Sequence, residues 1–211
     1  MAINPNCSII SVVGGKGGVG KSVFAANLAT ATCLELRTPV LLIDFDLKTC
    51  GDQNFITGFQ RPKTIADVCA FTGTISPRNL SAVLNVHPQI PLHYIAAVKN
   101  PGELFQPNES VALKQLQTLS NFYKYIIIDL GTQFESLQMR TLELSTIILS
   151  VTTPEVLTVN QTLRLHNELA AATIPQQMIQ VVVNKYNKAG PAVPSIEKSL
   201  RKRVLGSIPQ D

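Results

Sequence analysis

Apolar residues in this chain gather in short blocks set between longer stretches of mixed character. Ser8-Ile9-Ile10-Ser11-Val12-Val13 is the first block, of the length and type of a strand buried on both faces. Pro39 to Asp46, Leu92 to Ala97, Tyr125 to Asp129, Thr146 to Val151 and Gln180 to Lys185 repeat that pattern. Between the blocks the apolar period lengthens to that of a helix. Val23-Phe24-Ala25-Ala26-Asn27-Leu28-Ala29 opens one helix, and Asn108 caps another with Ala112, Leu116, Leu119 and Tyr123 on one stripe. Thr153 is expected to cap a third, with Pro154 and Glu155 in its first turn and Val156, Val159, Leu163 and Ala170 facing inward. Strands alternating with helices predict an α/β fold in three layers: a mostly parallel central sheet with helices on both faces.

Length and composition narrow the picture only slightly. A chain of 211 residues supports one sizeable core, and a single domain over residues 1–211 is expected. The longest apolar runs are strand-sized, so no transmembrane segment is expected, and the start lacks the features of a secretion signal. Cys7, Cys33, Cys50 and Cys69 are scattered, which fits reduced cytosolic thiols better than a disulfide framework or a metal site. His87, His93 and His166 have no metal-ligand spacing. The net charge is +4, with Lys185, Lys188, Lys198, Arg201, Lys202 and Arg203 gathered in the last quarter. Such a run is either a solvated helix face, the favoured reading, or a surface for DNA or anionic lipid.

The most specific signal lies between the first strand and the first helix. Gly15 to Ser22 read G-K-G-G-V-G-K-S, a phosphate-binding loop. Glycine backbones let main-chain N–H groups close around phosphate oxygens, and the following helix presents its N-terminus to them. Lys21 reaches the β- and γ-phosphates, and the Ser22 hydroxyl suits Mg²⁺. Lys16 is superfluous to an ordinary loop of this kind. Two later strands end in carboxylates. Asp44 and Asp46 alternate, so a continuing strand would aim both the same way, toward a metal or an attacking water. Asp129 closes Tyr125-Ile126-Ile127-Ile128 in the manner of a Walker B strand, placed to hold a metal's water shell opposite Ser22. Asn184 ends a further strand, and its amide can both donate to and accept from an adenine edge.

The loop resembles the signature K-G-G-x-G-K-[ST] of the deviant-Walker ATPases, the MinD/ParA family of P-loop NTPases, on Lys16, Gly17, Gly18, Val19, Gly20, Lys21 and Ser22. The resemblance runs along nearly the whole chain. It implies a slow ATPase that binds ATP with Mg²⁺ and forms an ATP-dependent homodimer, with Lys16 reaching across to the partner's nucleotide. It gives Asp46, second of the D-x-D pair, the placing of the attacking water. It assigns Asn184 and the I-P-x-D segment, here Pro209 and Asp211, to the adenine pocket. After Asp129 this chain reads Leu130-Gly131-Thr132-Gln133 where many relatives carry D-x-P, a departure that bears on the switch and its rate rather than on metal binding. Relatives usually continue with one or two helices beyond I-P-x-D.

Within the family, Gly51-Asp52-Gln53-Asn54-Phe55 and Lys63-Thr64-Ile65-Ala66-Asp67-Val68 resemble the CpaE/TadZ branch, which places pilus or secretion machinery at the cell pole. That resemblance implies a cytoplasmic protein recruited to the pole or to the inner face of the membrane by a further protein partner. Flagellar-number regulators, a ParA-type partition ATPase binding DNA nonspecifically, and a nucleotide-binding scaffold with little hydrolysis are the alternatives.

Overall fold

The computed structural model describes residues 2–47, 52–59, 62–99 and 106–210. The apolar blocks become strands: β1 (Ser8–Val13), β2 (Val40–Asp44), β3 (Asn85–Val86), β4 (Leu92–Ile95), β5 (Tyr125–Asp129), β6 (Ile147–Thr152), β7 (Ile179–Tyr186) and β8 (Val204–Pro209). They form one sheet in the order β3-β4-β2-β5-β1-β6-β7-β8, parallel except where β3 pairs with β4. The expected α/β architecture is therefore the observed one. The helices are α1 (Lys21–Glu35), α2 (Asp52–Thr57), α3 (Ile65–Ala70), α4 (Leu80–Val83), α5 (Glu109–Leu119), α6 (Ser136–Glu143), α7 (Val156–Ala171) and α8 (Val193–Leu200).

Strand alternation divides the core between two faces. Leu41, Ile43, Ile126 and Ile128 pack with Leu116 and Leu119 of α5, Leu137 and Leu142 of α6, and Leu165 and Leu169 of α7. Val12, Leu42 and Ile127 turn the other way, against Ala25, Ala26 and Ala29 of α1. Each large aliphatic side chain buried this way contributes roughly 1.5–3 kcal/mol. The alanines let the α1 backbone lie close to the sheet, which fixes where its N-terminus emerges. Because β1 has β5 on one side and β6 on the other, the chain leaves its carboxyl end at the point where strand order diverges. Ligands of open α/β sheets bind at such points.

The cap at Asn108 forms as expected: its side chain accepts from the Val111 amide at 3.2 Å, with Ala112, Leu116 and Leu119 buried. The third helix departs from expectation. It starts at Val156 behind Glu155 rather than at a Thr153 cap, and Val156 and Ala170 are exposed. Its buried face is Thr158, Val159, Thr162, Leu165, His166 and Leu169. Polar residues are accepted there because β6 presents hydroxyls. Thr162 donates to Thr152 Oγ1 at 3.0 Å, and His166 Nε2 lies 2.9 Å from Ser150 Oγ. The block from Leu92 also ends early, at Ile95, since Ala96 bridges to Thr64 instead of extending the strand. No described helix is long and apolar enough to cross a membrane.

Candidate functional site

β1 delivers the chain at Val13 into the glycine loop, and α1 begins at Lys21. The helix has Gly20 at its N-cap, no side-chain cap and no acidic residue in its first turn, so its free amides and positive dipole end stay available to an anion. Gly20 holds φ at +89°, and a Cβ there would stand 2.3 Å from Asn184 Nδ2, so only glycine fits. Gly17, Gly18, Gly20, Lys21 and Ser22 line a cleft of about 880 Å³. Asp46, Asn184 and Pro209 line the same cleft. Two further loop residues pack against the body of the protein. Gly15 rests against the α7 backbone, where a Cβ would meet the Gln161 carbonyl at 2.5 Å, and Val19 is buried in the core.

Lys21 is buried, and its Nζ donates to the Lys16 carbonyl at 3.4 Å. Burial lowers its pKa, while the carboxylates of Asp129 and Asp46 pull the other way. Asp129, at the end of β5, is fully buried. It accepts from the Ser22 hydroxyl, from Gln53 Nε2 at 3.0 Å and from the Gly131 amide at 3.3 Å. Burial still raises its pKa, with those hydrogen bonds and Lys21 acting in opposition. Such a carboxylate gains from a cation.

Asp44 and Asp46 do not belong to one continuing strand. β2 ends at Asp44, and the Asp46 amide turns back to donate to Asp44 Oδ1 at 3.0 Å. Asp44 is buried, and burial together with Asp129 raises its pKa well above the carboxylate range. The strand ends with the Asp44–Asp129 pair, so Asp46 lies outside it and strand alternation does not govern the two carboxylates. Asp46 alone reaches the cleft, held beside Gly131, whose φ is +68° and whose missing Cβ would lie 2.4 Å from Asp46 Cγ.

Lys16 turns onto the rim: its Nζ is 3.8 Å from Glu155 Oε2, with both side chains substantially exposed. Asn184 Nδ2 donates to the Val19 carbonyl at 2.9 Å, leaving Oδ1 as the acceptor. The neighbouring Lys185 Nζ donates to the Gly18 carbonyl at 3.0 Å. Asp211 lies outside the described residues. Gln53, Glu155, Lys185 and Thr132 also belong to the site's surroundings, although sequence reasoning assigned none of them an individual role in nucleotide binding. Taken together, an uncapped helix end, a buried lysine, a hydroxyl and a buried carboxylate are the donor set that suits a phosphate chain with a hard divalent cation.

Comparison with known proteins identifies the family and the fold. Residues 10–211 match the family model described as the CobQ/CobB/MinD/ParA nucleotide binding domain. The septum site-determining protein MinD of Thermotoga maritima is 26% identical over 181 residues, 85% of this chain and 64% of that protein. The chain thus spans just under two thirds of that relative's length. Among solved structures, a ParA family ATPase from Chlorobium tepidum superposes with a TM-score of 0.82 at 22% identity, covering 98% of this chain and 85% of the other. MinD of Pyrococcus horikoshii, solved with Mg-ADP, gives 0.73 at 20% identity, covering 97% and 82%. These structures share the fold, and the family match extends over nearly all of the sequence. This chain belongs to the CobQ/CobB/MinD/ParA nucleotide-binding family.

Proposed function

We propose that this protein is an ATP-dependent dimerisation switch that hydrolyses ATP slowly, built as one ATPase domain over residues 1–211. The observation that carries this reading is the divergence of two lysines in one loop. Lys21 is buried among Asp129 and Asp46, whereas Lys16 leans onto Glu155 at the rim.

Each residue then has a task. The amides of Gly15 to Gly20, with Lys21, cradle the β- and γ-phosphates. Ser22 and Asp129, with Asp46, would hold Mg²⁺, which would supply charge neutralisation on the phosphate oxygens. Asp46 orients the attacking water in line with the terminal phosphate. Asn184 Oδ1 and Pro209, together with Asp211, wall the adenine. Lys16 crosses to the partner's phosphates, as an arginine finger does. The Mg-ADP in the Pyrococcus horikoshii relative supports this choice of ligand. Loss of the terminal phosphate loosens the segments after β2 and β5 and lets the dimer part.

The finer reading is a cytoplasmic switch that places a pilus or secretion apparatus at the cell pole, through a protein partner. Its support is the CpaE/TadZ-like segment from Gly51, whose Phe55 is 79% exposed on α2. A partition-type reading is favoured by Lys188, Lys198, Arg201 and Arg203, all exposed. Against it, Lys185 and Lys202 already donate to the carbonyls of Gly18 and Gln176. Duplex binding that requires ATP and weakens steeply with salt decides for partition.

Light scattering after size exclusion, with a nonhydrolysable ATP analogue, tests the switch. Lys16→Ala is expected to abolish the dimer while nucleotide binding by the monomer survives. An unchanged dimer removes the trans role.

A further inference from the structure

Gln53 is 1% exposed, and its side chain is held by atoms of two other elements. Its amide nitrogen donates both to the Ser22 carbonyl at 2.9 Å and to Asp129 Oδ2 at 3.0 Å. Two acceptors facing one atom fix that atom as nitrogen. The other atom, Oε1, is therefore an acceptor, buried and without a partner among the described residues. A buried unpaired acceptor is costly and rare, and it persists where the rest of the group does something worth that cost.

What the rest of the group does is visible in the geometry. One nitrogen spans the end of β5 and the first turn of α1, touching both residues that the nucleotide reading gives to the cation. Gln53 is also an α2 residue, and α2 is fastened at its other side. Tyr94 Oη donates to Asn54 Oδ1 at 2.7 Å, and Asn54 Nδ2 donates to the Val98 carbonyl at 3.3 Å. A short helix that carries the exposed Phe55 is thereby wired to the cation's carboxylate.

We infer that Gln53 is a positioning residue whose amide nitrogen, shared between Ser22 and Asp129, ties α2 to the cation-holding pair, so that cation binding and the stability of α2 are linked. This rests on the proposed nucleotide function. By reciprocity, whatever docks on α2 changes cation affinity by the same factor that the cation changes its own.

The test uses Mn²⁺ as the probe, followed by paramagnetic resonance, on ADP-loaded protein. Gln53→Met keeps the length and removes the donor. It is expected to weaken Mn²⁺ binding roughly 10- to 100-fold, as loss of an outer-shell partner does, while ADP affinity in EDTA stays unchanged. A merely structural role for Gln53 would lower both. In the parent, amide exchange over residues 52–57 slows when Mn²⁺ joins ADP, and in Gln53→Met it does not respond. Should the variant fail to fold, the exchange measurement on the parent alone still decides. Mn²⁺ affinity equal in the two proteins, or α2 exchange indifferent to Mn²⁺ in the parent, overturns the inference. A parent that binds neither ADP nor Mn²⁺ sinks the nucleotide reading and this inference with it. A parent that binds both, matched by its variant, sinks this inference alone.

Discussion

The two ends of the glycine loop, five residues apart, are built on opposite principles. At the Lys21 end the surroundings are closed: a buried amine, a buried Asp129 and a helix end without a cap. Charges there act through a low dielectric and answer to one another, so the chemistry is local to the chain. At the Lys16 end the surroundings are open. The ammonium lies 3.8 Å from the exposed Glu155 carboxylate, a contact of the kind worth about 0–1 kcal/mol. Under the proposed function, the weakly held cation is the charge that completes a partner's pocket. The contrast teaches that glycine spacing does not distinguish the two lysines, whereas their burial does.

Perturbing the closed end should have the largest effect. Asp46→Ala is expected to lower single-turnover hydrolysis by about 10²–10⁴, the range for a positioned acid–base group, with the ATP-dependent dimer intact. Equal rates would remove Asp46 from the chemistry and leave the closed end as a binding site only. An intermediate effect concerns α7, the helix that supports the open end. Burial, aided by Lys202, pushes the His166 pKa down to about 4. The folded state therefore prefers the neutral ring, and the unfolded chain binds the extra proton between that value and the usual 6.5 or so. His166 then costs no stability above about pH 6.5 and up to about 3 kcal/mol as pH falls to 4. Chemical denaturation at pH 7 and pH 5 should show the loss, and His166→Gln should flatten it. An unaltered slope would mean that α7 tolerates the charge. The smallest effect is at the rim. Glu155→Gln frees Lys16 and should raise the dimerisation constant by less than about fivefold, in keeping with an exposed pair. A larger change in sedimentation would show that Glu155 restrains the lysine more firmly than its exposure implies.

The sequence pointed to the loop, the strand ends and the sheet class because each depends on local pattern. Buried Val, Ile and Leu runs can only be strands of an inner sheet, and Gly20 is demanded by a single backbone angle. The α7 stripe was hidden for the converse reason. Thr158, Thr162 and His166 are polar letters that normally face water, and their burial depends on Ser150 and Thr152 arriving from another strand. Asp44 and Asp46 looked equivalent until the strand ended between them. Gln53 stood in the segment from Gly51, but its contact was not legible there, since the hydrogen bond forms where α2 meets β5, 76 positions away in the chain.

Gly131 restricts how this chain can vary. Its bare α-carbon is the wall against which the Asp46 carboxylate leans, so an alanine there would collide with that carboxylate and strain its own backbone. The stretches following the second and fifth strands thus inherit a shared constraint: neither can change bulk alone. A relative that lacks glycine at this point would need to carry the acid matching Asp46 along a different path, and the two changes should travel together.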